Sequence, residues 1–274
     1  MTFRSILTHF DIDAAPEKRA TFALALADRF DAELLCTSAA SPILLQETGL
    51  GFFSITDTLR EEIKAIDARQ RDLHERIMQN APFRNHLEWR AMIADPTSFV
   101  TEQARCADLI ILYHCDKGQA CDYRRTIDPG TILLTAGRPV LFPSMSMTPL
   151  KAQIIVVAWK DTKEARRAVA DAMPLLKRAH EVVVLAIPER ETDQPYDLGD
   201  VVHYLAQHGV QGRCVVEPRQ PRDIGTTIAD IASEVGADLI VAGGYGHSRF
   251  REWIFGGITR SLLRNSSINL FLSN

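Results

Sequence analysis

The sequence lacks the features of a membrane-embedded or a nucleic-acid-binding protein. No apolar run approaches the roughly 18 residues that a membrane-spanning helix needs. The formal net charge is only −4 at pH 7, so no basic surface for a polyanion is indicated. The opening segment, MTFRSILTHFDID, has no long apolar stretch of the kind that signal peptides contain. We therefore expect a globular protein whose partners include neither a membrane nor a nucleic acid.

Cysteine is scarce, with five residues at irregular spacing, and the odd number argues against a disulfide framework. Reduced thiols without a secretion signal predict a cytoplasmic location. Cys115 and Cys121 lie near His114 and Asp116, which raises a zinc site as an alternative. Structural zinc sites usually combine two close ligand pairs, and no second pair is evident in the sequence. We infer no metal and interpret these four as ordinary loop residues.

What the chain does contain is an internal repeat. CADLIIL, which begins at Cys106, is similar to GADLIVA, which begins at Gly236. At the same spacing, RPVLF from Arg138 aligns with INLFL from Ile268. Both halves also open with a strand-like run. The repeat predicts two domains of one architecture.

The two repeats differ in length, and a charged segment at 55–80 accounts for the difference. Its apolar residues recur near helical spacing, which predicts a long helix. The junction, PSMSMTP at 143–149, has two prolines around small polar residues and is typical of a short linker. We therefore predict domains at 1–145 and 150–274.

Strand and helix patterns alternate through both halves. AQIIVVAW at 152–159 is a continuous apolar run rich in β-branched residues, as in strands buried on both faces. Helical patterns follow at 163–179, 198–209 and 223–236, and strand-like runs separate them. This alternation predicts an α/β fold with right-handed crossovers, an open parallel sheet in each half and helices on its faces. The end strands, PVLFP and NLFLS, are apolar, and we expect such edges to be paired or covered.

Glycines are concentrated after the strand-like run DLIVA. Gly243, Gly244 and Gly246 come directly behind it, and Gly256 and Gly257 open the next helical pattern. Ligands of open α/β sheets lie beyond the carboxyl ends of the strands, and a helix start with free N–H groups favours an anion. The alternative is that these glycines only relieve strain in two turns, because short glycine motifs are weakly specific.

The motif Gly243-x2-Gly246-x9-Gly256 resembles the nucleotide loop of the universal stress protein family. The stretches GADLIVAGGYGHSRFREWIFGGITRSLL, DPGTILLTAGRPVLFPS and VVAWKDTKEARRAVADAMPLLKRA are similar, in the correct order, to parts of tandem members of that family. The resemblance implies a five-stranded parallel sheet in each domain and, in some members, ATP binding. It covers nearly the whole chain.

The resemblance implies a nucleotide site in the second domain. Its phosphate-binding glycines correspond to Gly243, Gly246 and Gly256, and adenine is expected near Ala186 and Ile187. His247, Ser248 and Arg249 follow the loop directly and are further candidates for phosphate contacts.

Both halves depart from the family pattern. After Gly256 the family usually has Ser or Thr, and here Gly257 stands there. The family's first strand usually ends in Asp, whereas the second half has Lys160 followed by Asp161. In the first half Asp11 keeps that position, but no glycine loop of the family's spacing follows. We therefore predict weak binding of ATP or another anion in the second domain and a vestigial site at Asp11.

The function that these features favour is a stress-response regulatory or binding protein. The two domains are expected to form an internal pseudo-dimer, and a homodimer of the chain is a further expectation. One alternative is a slow nucleotide-hydrolysing enzyme, although the Ser-Gly-Gly-x-Asp-Ser loop of related α–β bond-cleaving enzymes is absent. The other is a protein-interaction scaffold with vestigial pockets. His9 beside Asp11 could act as a base, but no nucleophile accompanies it, so no catalytic residue is assigned.

Overall fold

The computed structural model describes residues 2–42, 52–79, 86–113, 122–188, 198–244, 261–263 and 267–274. The chain divides into two compact units. One is Arg4–Ala136, and the other is Gly137–Asn274 together with the first three residues. We call them the first and the second unit. The domain limits 1–145 and 150–274 stay predictions from the repeat.

The first unit is an α/β structure built on a parallel sheet. Its strands β1 to β4 lie in the order β3-β2-β1-β4. The elements in chain order are β1 (Ser5–His9), α1 (Glu17–Phe30), β2 (Glu33–Ala39), α2 (Phe52–Gln79), β3 (Leu87–Met92), α3 (Pro96–Gln103), a 3-10 turn (Ala104–Cys106), β4 (Leu109–Ile111) and α4 (Pro129–Thr135).

The second unit repeats the plan and adds one antiparallel strand. Its order is β5-β10-β9-β6-β7-β8, and every neighbouring pair except β5–β10 is parallel. The elements are β5 (Val140–Phe142), β6 (Ile154–Trp159), α5 (Lys163–Leu176), β7 (Glu181–Ala186), α6 (Gly199–Gln207), β8 (Gly212–Val216), α7 (Ile224–Glu234), β9 (Leu239–Gly243) and β10 (Asn269–Ser273). The predicted α/β class with a mostly parallel sheet is confirmed.

The predicted elements form where apolar runs can be buried. The middle strands are almost inaccessible, as at Ile110 and Val156, because helices cover the sheet faces. The long segment predicted at 55–80 is α2, whose Ile66, Leu73 and Ile77 are buried and form its inner face. Helices α3, α4, α5 and α7 each begin behind a side-chain cap, which is Asp95, Asp128, Thr162 or Asp223.

The two apolar end strands pair with each other. β5 runs antiparallel to β10, with Leu270 opposite Phe142 and Leu272 opposite Val140. Asn269 fixes the end of this ladder, because its Oδ1 accepts from Ser144 N at 3.0 Å and its Nδ2 donates to the Asp238 carbonyl at 2.7 Å. The pairing satisfies edges that would otherwise expose apolar side chains and open backbone groups.

Candidate functional site

The carboxyl ends of three parallel strands meet at one edge of the second unit. Trp159 of β6 lies opposite Ala186 of β7, and Ala158 lies opposite Ala242 of β9. Because the strands are parallel, the residues that follow them emerge on the same side. Five of the predicted site residues are thereby brought to this edge, namely Lys160, Asp161, Ala186, Ile187 and Gly243.

The remaining residues predicted for the nucleotide loop are Gly246, His247, Ser248, Arg249, Gly256 and Gly257. All six lie outside the described residues. Gly244, directly before them, is buried, and its N–H donates to the Ser273 carbonyl at 2.8 Å. Gly244 is therefore held in place at the end of β9.

Gly243 has a packing role of its own. A Cβ added there would lie 2.6 Å from Ala165 N and 2.9 Å from Glu164 Cβ. The first turn of α5 thus packs directly on the strand, which only a residue without a side chain allows. Close approach of a helix explains Gly243 without a ligand, an explanation that the sequence alone did not suggest.

The start of α5 is well ordered by local hydrogen bonds. Thr162 Oγ1 accepts from Ala165 N at 3.3 Å, and Thr162 N donates to the Lys160 carbonyl at 2.7 Å. The Asp161 carboxylate is already paired within the protein, because the Arg166 side chain donates a hydrogen bond to it at 2.6 Å. Lys160 is partly exposed and contributes a positive charge where the family usually has Asp. The positive end of the α5 dipole adds to that charge, and together they favour a negatively charged ligand.

In the first unit, the predicted residue Asp11 is held by the protein itself. Its Oδ2 accepts from Arg19 at 2.8 Å, and its side chain is only 14% exposed. The Arg19 guanidinium also lies over the Tyr113 ring at 4.9 Å, and the Tyr113 hydroxyl donates to the Arg19 carbonyl at 2.7 Å. Arg19 and Tyr113 were missed in the sequence, since only the fold brings them to Asp11.

His9, the preceding polar residue of β1, is buried. Its Nδ1 lies 3.2 Å from Thr37 Oγ1, and because that hydroxyl donates to the Thr8 carbonyl, Nδ1 carries the proton. Its Nε2 lies 3.8 Å from Asp11 Oδ1, beyond a hydrogen bond. Burial is the largest effect on His9 and lowers its pKa to about 4. The negative charge of Asp11 acts in the opposite direction and raises the pKa, but by less. His9 is therefore neutral near pH 7.

Charged side chains close the carboxyl edge of the first unit. Asp13, in the loop after β1, is ion-paired with Arg69 of α2 and with Arg125, and Arg125 also pairs with Glu62 of α2. A backbone hydrogen bond of 2.7 Å from Ser41 N to the Arg124 carbonyl joins the segment after β2 to the segment before α4. These contacts tie three loops and a helix together at the edge that holds Asp11.

No group of three or more metal-ligating side chains occurs within the described part of the chain. Cys115, Cys121, His114 and Asp116, for which a zinc site was weighed, lie outside it. Among the helices that the structure describes, none combines the length and the apolar character needed to cross a bilayer.

Comparison with known proteins agrees with this description. Residues 151–272 match the model of the universal stress protein family. No protein with curated annotation matches the sequence. Among solved structures, a universal stress protein from Archaeoglobus fulgidus DSM 4304 has a TM-score of 0.66 at 17% identity, covering 98% of this chain and 96% of its own. A functionally unknown protein from Pseudomonas aeruginosa PAO1 has a TM-score of 0.58 at 15% identity, covering 99% of this chain and 92% of its own.

At such identities these structures show a shared fold. The family model adds a sequence match for the second half, which contains β6 to β10 and the edge described above. The resemblance seen in the sequence is thereby confirmed: residues 151–272 match the universal stress protein family, and the fold of the whole chain is similar to that of a universal stress protein.

Proposed function

We propose that the second unit binds a small phosphate-bearing ligand, with a nucleotide such as ATP as the first candidate, in a regulatory role. The observation that carries the proposal is the meeting of β6, β7 and β9 at one edge beside Lys160 and the start of α5. Lys160 and the helix dipole supply positive potential there. Gly243 and Gly244 lead the chain into the glycine-containing segment from this edge.

We propose further that the first unit has no nucleotide site. Asp11 is bound to Arg19, and ion pairs from Asp13 and Arg125 cross the same edge. A ribose hydroxyl would have to displace the Arg19 guanidinium from a carboxylate that is mostly buried. Breaking such a pair leaves an uncompensated charge, which is costly. Binding of one nucleotide for each chain is the consequence.

Isothermal titration calorimetry with ATP tests both statements. We expect weak binding at a stoichiometry of one, and competition by inorganic phosphate because the phosphates supply the charge. Gly246→Asp places a carboxylate in the glycine loop and is expected to abolish binding. Lys160→Gln is expected to weaken it, while Lys177→Gln, an exposed lysine after α5, serves as the matched control.

Two outcomes would contradict the proposal. Equal ATP affinity of the wild type and Gly246→Asp would show that the glycine loop is not part of the binding site. A stoichiometry of two would show that the first unit also binds. Circular dichroism of each variant establishes that the fold is intact. The internal pseudo-dimer and the homodimer stay predictions, and sedimentation of the full chain tests the latter.

A further inference from the structure

A cleft of about 560 Å³ lies between α5 and α6 in the second unit, at the end of β6. Its size is within the range of about 300–1,000 Å³ that is typical of small-molecule sites. The nucleotide proposal makes no use of α6. The cleft adjoins the proposed nucleotide edge through Trp159 and Asp161, but its other lining residues, on α5 and α6, play no part in that proposal. The lining indicates the chemistry of a further ligand.

Two aromatic rings and two valines form the apolar part of the lining. Trp159 ends β6, and Tyr204 lies on α6, where it is 40% exposed. The Tyr204 ring is supported by His208 one turn later, with the ring centroids 4.5 Å apart. Val169 and Val201 are almost fully buried and form a floor. This combination suits a flat, apolar ring.

The charged part of the lining is negative in balance. Arg166 is paired with Asp161, because its guanidinium donates a hydrogen bond of 2.6 Å to the Asp161 carboxylate. Asp200, in the first turn of α6, is the third charged residue of the cleft. Within the part of the chain that the structure describes, Asp200 has no ion pair. One carboxylate is thus left to face a ligand beside two aromatic rings, and both features attract a cation.

We propose that this cleft binds a small molecule composed of an aromatic ring and a protonated amine. The ring lies against Trp159 and Tyr204 over the valine floor, and the ammonium group pairs with Asp200. An anionic analogue of the same ring is disfavoured, because it would bring like charge to Asp200. The site is thereby opposite in charge preference to the proposed nucleotide edge.

Three indole compounds of similar size and different charge test the proposal, namely tryptamine, indole and indole-3-acetate. Saturation-transfer NMR titrations of the full chain give their relative affinities. We expect tryptamine to bind about five-fold more tightly than indole, as an exposed ion pair and a cation–π contact together allow. Indole-3-acetate is expected to bind more weakly than either.

Variants then assign the preference to residues. Asp200→Asn is expected to reduce the preference for tryptamine over indole, because only the cation–π part remains, and to leave indole binding unchanged. Glu234→Gln removes an exposed carboxylate of α7 in the same unit and should change neither. Tyr204→Ala should weaken both tryptamine and indole. The proposal is overturned if none of the probes binds, if the three bind equally, or if Asp200→Asn keeps the full preference for tryptamine.

Discussion

Gly243 at the end of β9 packs on the backbone of Ala165 in the first turn of α5, so closely that an added Cβ would lie 2.6 Å from the Ala165 nitrogen. A helix and a strand that approach to this distance leave no room for a methyl group. Neither element can move alone, because β9 pairs with β6 and β10, and α5 covers the same sheet. The contact makes stability depend on Gly243.

We predict that Gly243→Ala lowers the free energy of unfolding by about 1–3 kcal/mol, the usual cost of forcing a larger group into a packed interior. Urea denaturation monitored by circular dichroism measures the loss. Gly212→Ala is the matched control, because its Cβ would meet nothing closer than 3.4 Å in another strand of the same sheet. Equal stability of the two variants would contradict the packing role.

Much of the fold follows from local patterns. The buried strands are recognisable as continuous apolar runs and the helices as periodic segments, because burial is decided within a few residues. Contacts between distant segments could not be predicted in this way. The bond from Arg19 to Asp11 and the antiparallel pairing of β5 with β10 depend on tertiary structure.

The candidate site shows the same contrast between features that local patterns predict and contacts that depend on tertiary structure. The alternation of strands and helices was sufficient to place Gly243 at the carboxyl edge, and the family resemblance added Lys160 and Ala186, which the structure brings to the same edge. The same alternation did not show that Gly243 contacts α5, because a glycine in a strand pattern does not indicate which element packs against it. Tyr204 and Asp200 also escaped notice, because a helix pattern does not reveal which exposed residues line a cleft.

His9 makes the stability of the protein depend on pH. Its pKa is about 4 in the folded protein and 6.5 when it is exposed in the unfolded chain. Between these values the unfolded state binds more protons, so stability rises with pH from 4 to 6.5 and is lost as the pH falls through this window. Across this window the contribution of His9 changes the free energy of unfolding by about 3 kcal/mol. Asp11 and Arg19 are the charged groups that act on the ring.

Denaturation in urea at a series of pH values checks this contribution. We expect His9→Gln, which cannot ionise, to flatten the stability curve between pH 4 and 6.5. His180→Gln, which replaces an exposed histidine, serves as the matched control. An unaltered slope in His9→Gln would mean that other groups cause the dependence.

Asp223 is predicted to stabilise α7 as its N-cap. Its Oδ2 accepts from Thr226 N at 3.0 Å, so it satisfies one of the backbone donors left open at the helix start. Asp223→Ala should cost about 1 kcal/mol, and Asp223→Ser should recover most of it, because serine also caps well. Chemical denaturation of the three proteins measures the order. If Ser and Ala were equally destabilising, the cap would not be the cause.

Asn269 is predicted to be more sensitive than its size suggests, because it satisfies two backbone groups at the end of the β5–β10 ladder. Asn269→Leu removes both bonds and leaves Ser144 N–H and the Asp238 carbonyl without their partner. Each unsatisfied buried group costs about 1–3 kcal/mol, so a loss of about 2–6 kcal/mol in the free energy of unfolding is expected. Asn269→Asp keeps the acceptor for Ser144, loses the donor and adds a carboxylate charge, and hydrogen exchange at the Ser144 amide reports on the acceptor alone. That amide should exchange faster in the Leu variant and stay protected in the Asp variant. Protection in both would show that Asn269 does not hold the strand end.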